Sequence, residues 1–132
     1  MHIEATKQKI AKSDREVFEF ITDVKNFESL MPESIDKFEL LDGDTFKFAL
    51  KGMPEIVLRL KEKEPHSRVV LGAASNKLPF TLTADIVALG DNASEVALSF
   101  EGQFNAMMAM MVKSPITKFM ETLSTNLGKL GQ

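Results

Sequence analysis

From Ile35 to Glu101, apolar and polar residues alternate with a period of two, and short clusters of turn formers break the pattern. No other feature constrains the fold as strongly. Successive side chains of a strand point to opposite faces, so this alternation marks strands with one dry face and one wet face. The segments IDKFELL, TFKFALK, EIVLRLKEK, RVVLGA, PFTLTADIVA and SEVALSF carry it. Between them lie Asp42-Gly43-Asp44, Gly52-Met53-Pro54, Pro65-His66-Ser67, Ser75-Asn76-Lys77 and Gly90-Asp91-Asn92. Each break holds residues that favour turns and is short enough for a hairpin. Short returns make chain neighbours antiparallel, which predicts a six-stranded meander.

Parity assigns the faces. Phe46, Phe48 and Leu50 fall opposite Lys47 and Lys51, and Ile56, Leu58 and Leu60 fall opposite Arg59 and Lys61. Phe80, Leu82, Ala84 and Ile86 oppose Thr81, Thr83 and Asp85, while Val96, Leu98 and Phe100 oppose Glu95, Ser99 and Glu101. One face is therefore apolar and the other solvated. RVVLGA fits either register.

Ahead of the meander, HIEATKQKIA reads as a first strand, giving seven in all. Ser13-Asp14-Arg15-Glu16 has the capping-box spacing and opens a short helix carrying Val17, Phe18, Phe20 and Ile21. Asp23 is expected to cap a second short helix with Val24, Phe27, Leu30 and Met31, which ends before Pro32. After the meander, one element runs from about Asn105 to Leu130. If continuous, it spans about 39 Å at 1.5 Å per residue. Its second half shows a helical stripe of Ile116, Phe119, Met120, Leu123, Leu127 and Leu130. Pro115 lacks an N–H and crowds the carbonyl of Met111, so a kink or a fresh start capped by Ser114 is expected there. The stretch AMMAMM, residues 106–111, is apolar at every position and holds four of the chain's eight methionines.

Composition narrows the function. With 132 residues the chain fits one domain, 1–132. There are no cysteines, so disulfides, thiolate metal sites and cysteine nucleophiles are excluded. Net charge is −3, with lysines scattered among acids rather than gathered into a basic stripe, so no nucleic-acid partner is expected. No segment is long enough to span a bilayer, and the first residues lack the apolar run of a signal peptide, so the expected location is the cytoplasm.

The order of strand, two short helices, six antiparallel strands and one long helix resembles the SRPBCC superfamily. That superfamily has the helix-grip fold of START lipid-transfer domains, birch-pollen-allergen-type carriers and polyketide cyclase/dehydratase-like proteins. The resemblance rests on IAKSDREVFEFITDVKNFESLMPESIDKFELLDGDTFKF and LSFEGQFNAMMAMMVKSPITKFMETL. It is nearest to the small single-domain branch that includes the G component of carbon monoxide dehydrogenase. The resemblance implies an α+β, helix-grip protein whose seven-stranded curved sheet is crossed on its concave face by the C-terminal helix. It also implies a cavity between sheet and helix.

On that expectation Phe46, Phe48, Ile56, Leu58, Leu82, Leu98 and Phe100 floor the cavity. Met107, Met111, Phe119 and Met120 roof it, and Phe27 and Leu30 stand near its mouth. Methionine has flexible rotors and a polarizable sulfur, which suits a lining for irregular apolar guests. The expected function is non-catalytic binding or transport of a hydrophobic small molecule such as a lipid, an isoprenoid or an aromatic compound. One alternative is a protein-interaction module or a homodimer formed through Met107–Met111, since apolarity all round a helix leaves some methionines for a partner. Another is a cyclase or dehydratase. The superfamily's cyclase-like members place polar side chains in the pocket, whereas the inward positions here are Phe, Leu, Ile, Val and Ala. Acid–base chemistry needs a titratable group inside. Glu4, Thr6 and Gln8 share a face of a strand polar enough to be a solvated edge; a general acid from a loop would be Asp23, which is also explained as a helix cap, or Glu28. His2 and His66 are far apart in sequence and lack metal-ligand spacing, so no metal is expected. No nucleotide-binding glycine motif is present, and no cofactor is implied.

Overall fold

A computed structural model describes residues 1–32, 35–50, 55–73 and 80–130, the side chain of Asp36 apart. The turns expected at Gly52-Met53-Pro54 and Ser75-Asn76-Lys77 lie outside the described residues. The strands are β1 (His2–Glu4), β2 (Gln8–Ile10), β3 (Ile35–Asp42), β4 (Thr45–Leu50), β5 (Ile56–Glu64), β6 (Arg68–Ala73), β7 (Phe80–Gly90) and β8 (Ala93–Gly102). All pairings are antiparallel, in the order β1-β8-β7-β6-β5-β4-β3, with β2 also on β8. The six-stranded meander is therefore present at the expected positions.

The first strand departs from expectation by splitting in two, which makes eight strands rather than seven. Glu4 pairs with Ser99, but Gln8 pairs with Val96, so the chain carries one residue more than its partner between these points. A one-residue excess reverses which side chains face inward. Ile3 and Ala5 are buried before the break, and Ile10 is buried after it. The break occurs at Thr6, whose backbone N–H donates to the Glu121 carboxylate at 2.9 Å instead of to β8. The Thr6 carbonyl accepts from the Ser124 hydroxyl at 2.5 Å. Both partners belong to the C-terminal helix, so the bulge is the point where that helix is fastened to the sheet.

Helix α1 (Asp14–Thr22) starts as the sequence predicts. The Ser13 hydroxyl accepts from Glu16 N at 3.1 Å, and the Glu16 carboxylate accepts from Ser13 N at 3.4 Å. These bonds satisfy donors left open by the first turn. Val17 and Ile21 point into the core, and the buried Ser94 hydroxyl ties the approach to α1 to β8 by donating to the Lys12 carbonyl. The second helical segment is less regular than expected. A 3-10 turn, Val24–Asn26, leads into a single α turn, α2 (Phe27–Leu30), and Asp23 makes no capping bond. The residues expected to be apolar there, Val24, Phe27, Leu30 and Met31, are all buried.

The last helix, α3 (Ala106–Gly128), is continuous through Pro115. The expected restart with a Ser114 cap does not occur. Asn105 caps the helix by accepting from Met108 N at 2.8 Å, and the Thr117 hydroxyl donates to the Lys113 carbonyl at 2.7 Å. Val112, Ile116, Phe119, Met120, Leu123 and Leu127 form its buried stripe. The Asn126 amide donates to the Leu30 carbonyl, which holds α2 against α3. Gly128 leaves room for β2: a Cβ there would stand 2.7 Å from Oε1 of Gln8.

The ambiguous strand β6 resolves with Val69 and Leu71 inward. The core is one apolar cluster between the inner face of the sheet and the three helices. On the outer face, Lys37, Glu39, Lys47 and Glu55 form a charged cluster with N–O distances of 3.3 to 3.9 Å.

Candidate functional site

The inner face of the sheet and α3 bring most of the expected site residues together. Phe27, Leu30, Phe46, Phe48, Ile56, Leu58, Leu82, Leu98, Phe100, Phe119 and Met120 are all buried. Met107 and Met111 are not among them. They are 75% and 68% exposed, on the outer side of the first turns of α3 together with Met110. Along α3 the first side chain buried in the core is that of Val112. Met108 alone of the cluster packs partly against the core.

The space between sheet and helix, where the resemblance implies a cavity, is largely filled. Phe38 and Phe27 each stack on Phe46, at centroid distances of 5.4 and 5.1 Å. Phe46 stacks on Phe48 at 5.9 Å, and Phe48 on Phe119 of α3 at 5.0 Å. This column of rings spans from the outer strand β3 to the helix. Beyond it, the hollow lined by Ile21, Leu30, Leu71, Leu98, Leu123 and their neighbours measures about 10 Å³, roughly the space of one water molecule.

Outside the ring column lies a larger space. Pro32, Leu50 and the α3 residues Ser114, Pro115, Lys118, Phe119 and Thr122 line an open groove of about 480 Å³. Its floor is Phe119, the last ring of the column. The sequence marks Phe119 but not the groove, because Ser114, Lys118 and Thr122 fall on the polar side of the helical stripe. Their spacing of four residues is the available signal: it aligns them along one strip of α3 beside Pro115 and Phe119.

The polar side chains buried among the described residues are Thr45, Ser94 and Ser124. All three are hydrogen bonded, Thr45 to Asp44 and Arg59, the serines to the carbonyls of Lys12 and Thr6. Groups with displaced pKa values lie on the outer surface. Glu55 is held below the usual carboxylate range by a hydrogen bond from Lys47, whose own pKa is raised by the same contact. His2 is raised by hydrogen bonding to Glu4 and Glu101, at 3.2 and 3.0 Å. His66, exposed in the turn between β5 and β6, adopts a left-handed φ of 67° and sets its ring edge-on to Phe18 at 5.5 Å. Glu4 and Thr6 are exposed, and Gln8 packs at the end of α3 rather than into the hollow. Among the described residues no ionisable side chain is buried against the apolar interior.

A curved antiparallel sheet with a long C-terminal helix packed over its inner face, after two short helical segments, settles the architecture. The fold is the helix-grip fold. Solved helix-grip proteins match it over nearly the whole chain. Norcoclaurine synthase from Thalictrum flavum superposes with a TM-score of 0.75 at 13% identity, covering 98% of this chain and 84% of that one. A START superfamily protein from Mycobacterium smegmatis gives 0.65 at 10% identity, with 96% of each chain covered. The protein XoxI from Bacillus cereus gives 0.66 at 16% identity, covering 99% and 98%. No protein-family model and no curated protein matches the chain. The SRPBCC resemblance thus holds at the level of the helix-grip architecture. Among the described residues no helix is long and apolar enough to cross a membrane.

Proposed function

We propose that this protein is a non-catalytic binding domain for a hydrophobic small molecule, which it takes up in the groove between α3, Pro32 and the end of β4. The observation that carries this is the groove itself. It is a space of about 480 Å³ with a phenylalanine floor, and the Phe119–Phe48 stack joins that floor to the apolar interior. That volume lies within the roughly 300–1,000 Å³ of small-molecule sites. Binding is driven by transfer of apolar surface from water, worth roughly 0.8 kcal/mol for each buried methylene. The fold supports the reading, because a helix-grip neighbour takes small aromatic guests: norcoclaurine synthase has been solved in complex with dopamine and hydroxybenzaldehyde. That neighbour is an enzyme. The non-catalytic assignment here rests on two features of the described residues: the groove's one ionisable side chain is the exposed Lys118, and the interior beneath it buries none. A chain without cysteines also suits a cytoplasmic carrier.

Purified, delipidated protein is expected to bind a lipophilic fluorophore saturably, with micromolar affinity. Thr122→Trp, which sets a large ring into the groove from a partly exposed position, should weaken that binding by at least about tenfold while leaving the far-UV spectrum unchanged. A tenfold change corresponds to about 1.4 kcal/mol. Unaltered binding in this variant would remove the groove as the site.

A second reading draws on the methionines. Met107, Met110 and Met111 are 75%, 82% and 68% exposed, one contiguous apolar patch at i, i+3 and i+4 of α3. Under it, the methionine face docks a protein or a second copy of the chain.

A further inference from the structure

From Ala106 to Met120, α3 contains two charged residues, Lys113 and Lys118, and no acid. Among the described residues neither lysine forms an ion pair, a state they share with Lys7, Lys9, Lys61, Lys63 and Lys129, whereas Lys12, Lys25, Lys37 and Lys47 are paired. Lys118 lies on the groove. It sits between Ser114 and Thr122, one helical turn to each side, and neither of those hydroxyls has a hydrogen-bond partner among the described residues. The groove is therefore two-sided. Pro32, Leu50, Pro115 and Phe119 offer apolar surface, while one strip of α3 offers an ammonium flanked by two hydroxyls. No carboxylate is among the described residues that line it.

From this arrangement we infer that the guest is an amphipathic monocarboxylate, its carboxylate held by Lys118 with Ser114 and Thr122, and its hydrocarbon part laid over Phe119 and Leu50. The inference rests on the groove-binding function proposed above and adds the chemical class of ligand. A neutral lipophile would leave the Lys118 charge without a counter-ion at the rim. Among the described residues that line the groove Lys118 is the one cation, which matches a single carboxylate; Lys113 lies on the adjoining surface, which shares Ser114 and Lys118 with the groove. A carboxylate oxygen pair accepts from an ammonium and a hydroxyl together, and charge-assisted bonds of this kind are roughly twice as strong as neutral ones.

The test compares decanoate with decanol, both below their aggregation limits, by calorimetric titration of the full chain at low salt. Wild type should bind decanoate about tenfold more tightly than decanol. Lys118→Gln, which keeps the side-chain stem, should abolish that preference by weakening decanoate binding about tenfold. Lys113→Gln should retain it. Raising the salt concentration should narrow the preference in wild type, because a rim charge is screened. Equal affinity for the acid and the alcohol in wild type, or a preference that survives Lys118→Gln, would overturn the carboxylate assignment and leave groove binding intact. Failure of both compounds to bind would overturn the groove reading and this inference together.

Discussion

Phe46→Ala is expected to lower the free energy of unfolding by about 3–5 kcal/mol, the range for deleting a buried aromatic ring. Phe46 is 0% exposed and contacts three other rings, Phe27, Phe38 and Phe48, at centroid distances of 5.1, 5.4 and 5.9 Å. Each aromatic pair adds roughly 0.5–1.5 kcal/mol beyond its buried area, so the upper part of the range is expected. A domain of this size has roughly 5–15 kcal/mol in total. The variant should therefore unfold at a much lower urea concentration with a similar slope, and Phe46→Leu should fall between it and wild type. The ring column is the joint between β3, β4 and α2, so the loss is one of architecture. A change below about 1 kcal/mol, typical of a surface substitution, would mean that the column is not packed as described.

Phe119→Ala should act on stability and binding in opposite directions. Phe119 is 7% exposed, floors the groove and stacks on Phe48. Its removal should cost about 3 kcal/mol, the low end for a buried ring, because one side already faces the open groove and water can enter the space. The same deletion deepens the groove towards Phe48 and towards Leu123, one helical turn along α3. Two further methylenes of a guest could then be buried, which is about 1.6 kcal/mol or roughly tenfold in affinity. Denaturant titration and fluorophore titration of one preparation check both halves. A variant that loses stability and also loses affinity would show that the ring itself grips the guest, rather than limiting the depth of its site.

Period-two alternation and turn residues are local properties, so the meander is legible in the sequence, and each strand's inward face follows from parity. The capping box at Ser13 is legible for the same reason. The split of the first strand is not, since the bulge at Thr6 is fixed by Glu121 and Ser124, more than a hundred residues away. Pro115 reads as a break, but tertiary packing of Ile116, Phe119 and Met120 carries the helix through it. Residue type places Phe119 and Met120 in the core, where they lie. It misplaces Met107 and Met111, because an all-apolar stretch gives no phase by which to tell the packed side from the exposed one. Cavity size is the least legible property of all. It depends on how far the Phe38–Phe119 column closes the sheet, which the pattern does not encode. The narrower likeness to the carbon monoxide dehydrogenase branch rests on sequence layout alone.

The protein carries its own reporters for the central question, because buried Met31 and Met120 adjoin the groove residues Pro32 and Phe119 in sequence, while Met107 and Met110 lie exposed on the first turns of α3. Methyl-labelled methionine should be followed by NMR during titration with a lipophilic ligand. A guest over Phe119 should shift and broaden the methyls of Met31 and Met120, which are 8% and 0% exposed, and leave those of Met107 and Met110 in place. Saturable shifts confined to Met107, Met110 and Met111, or present without ligand and dependent on protein concentration, would contradict groove binding and assign the function to the methionine face instead.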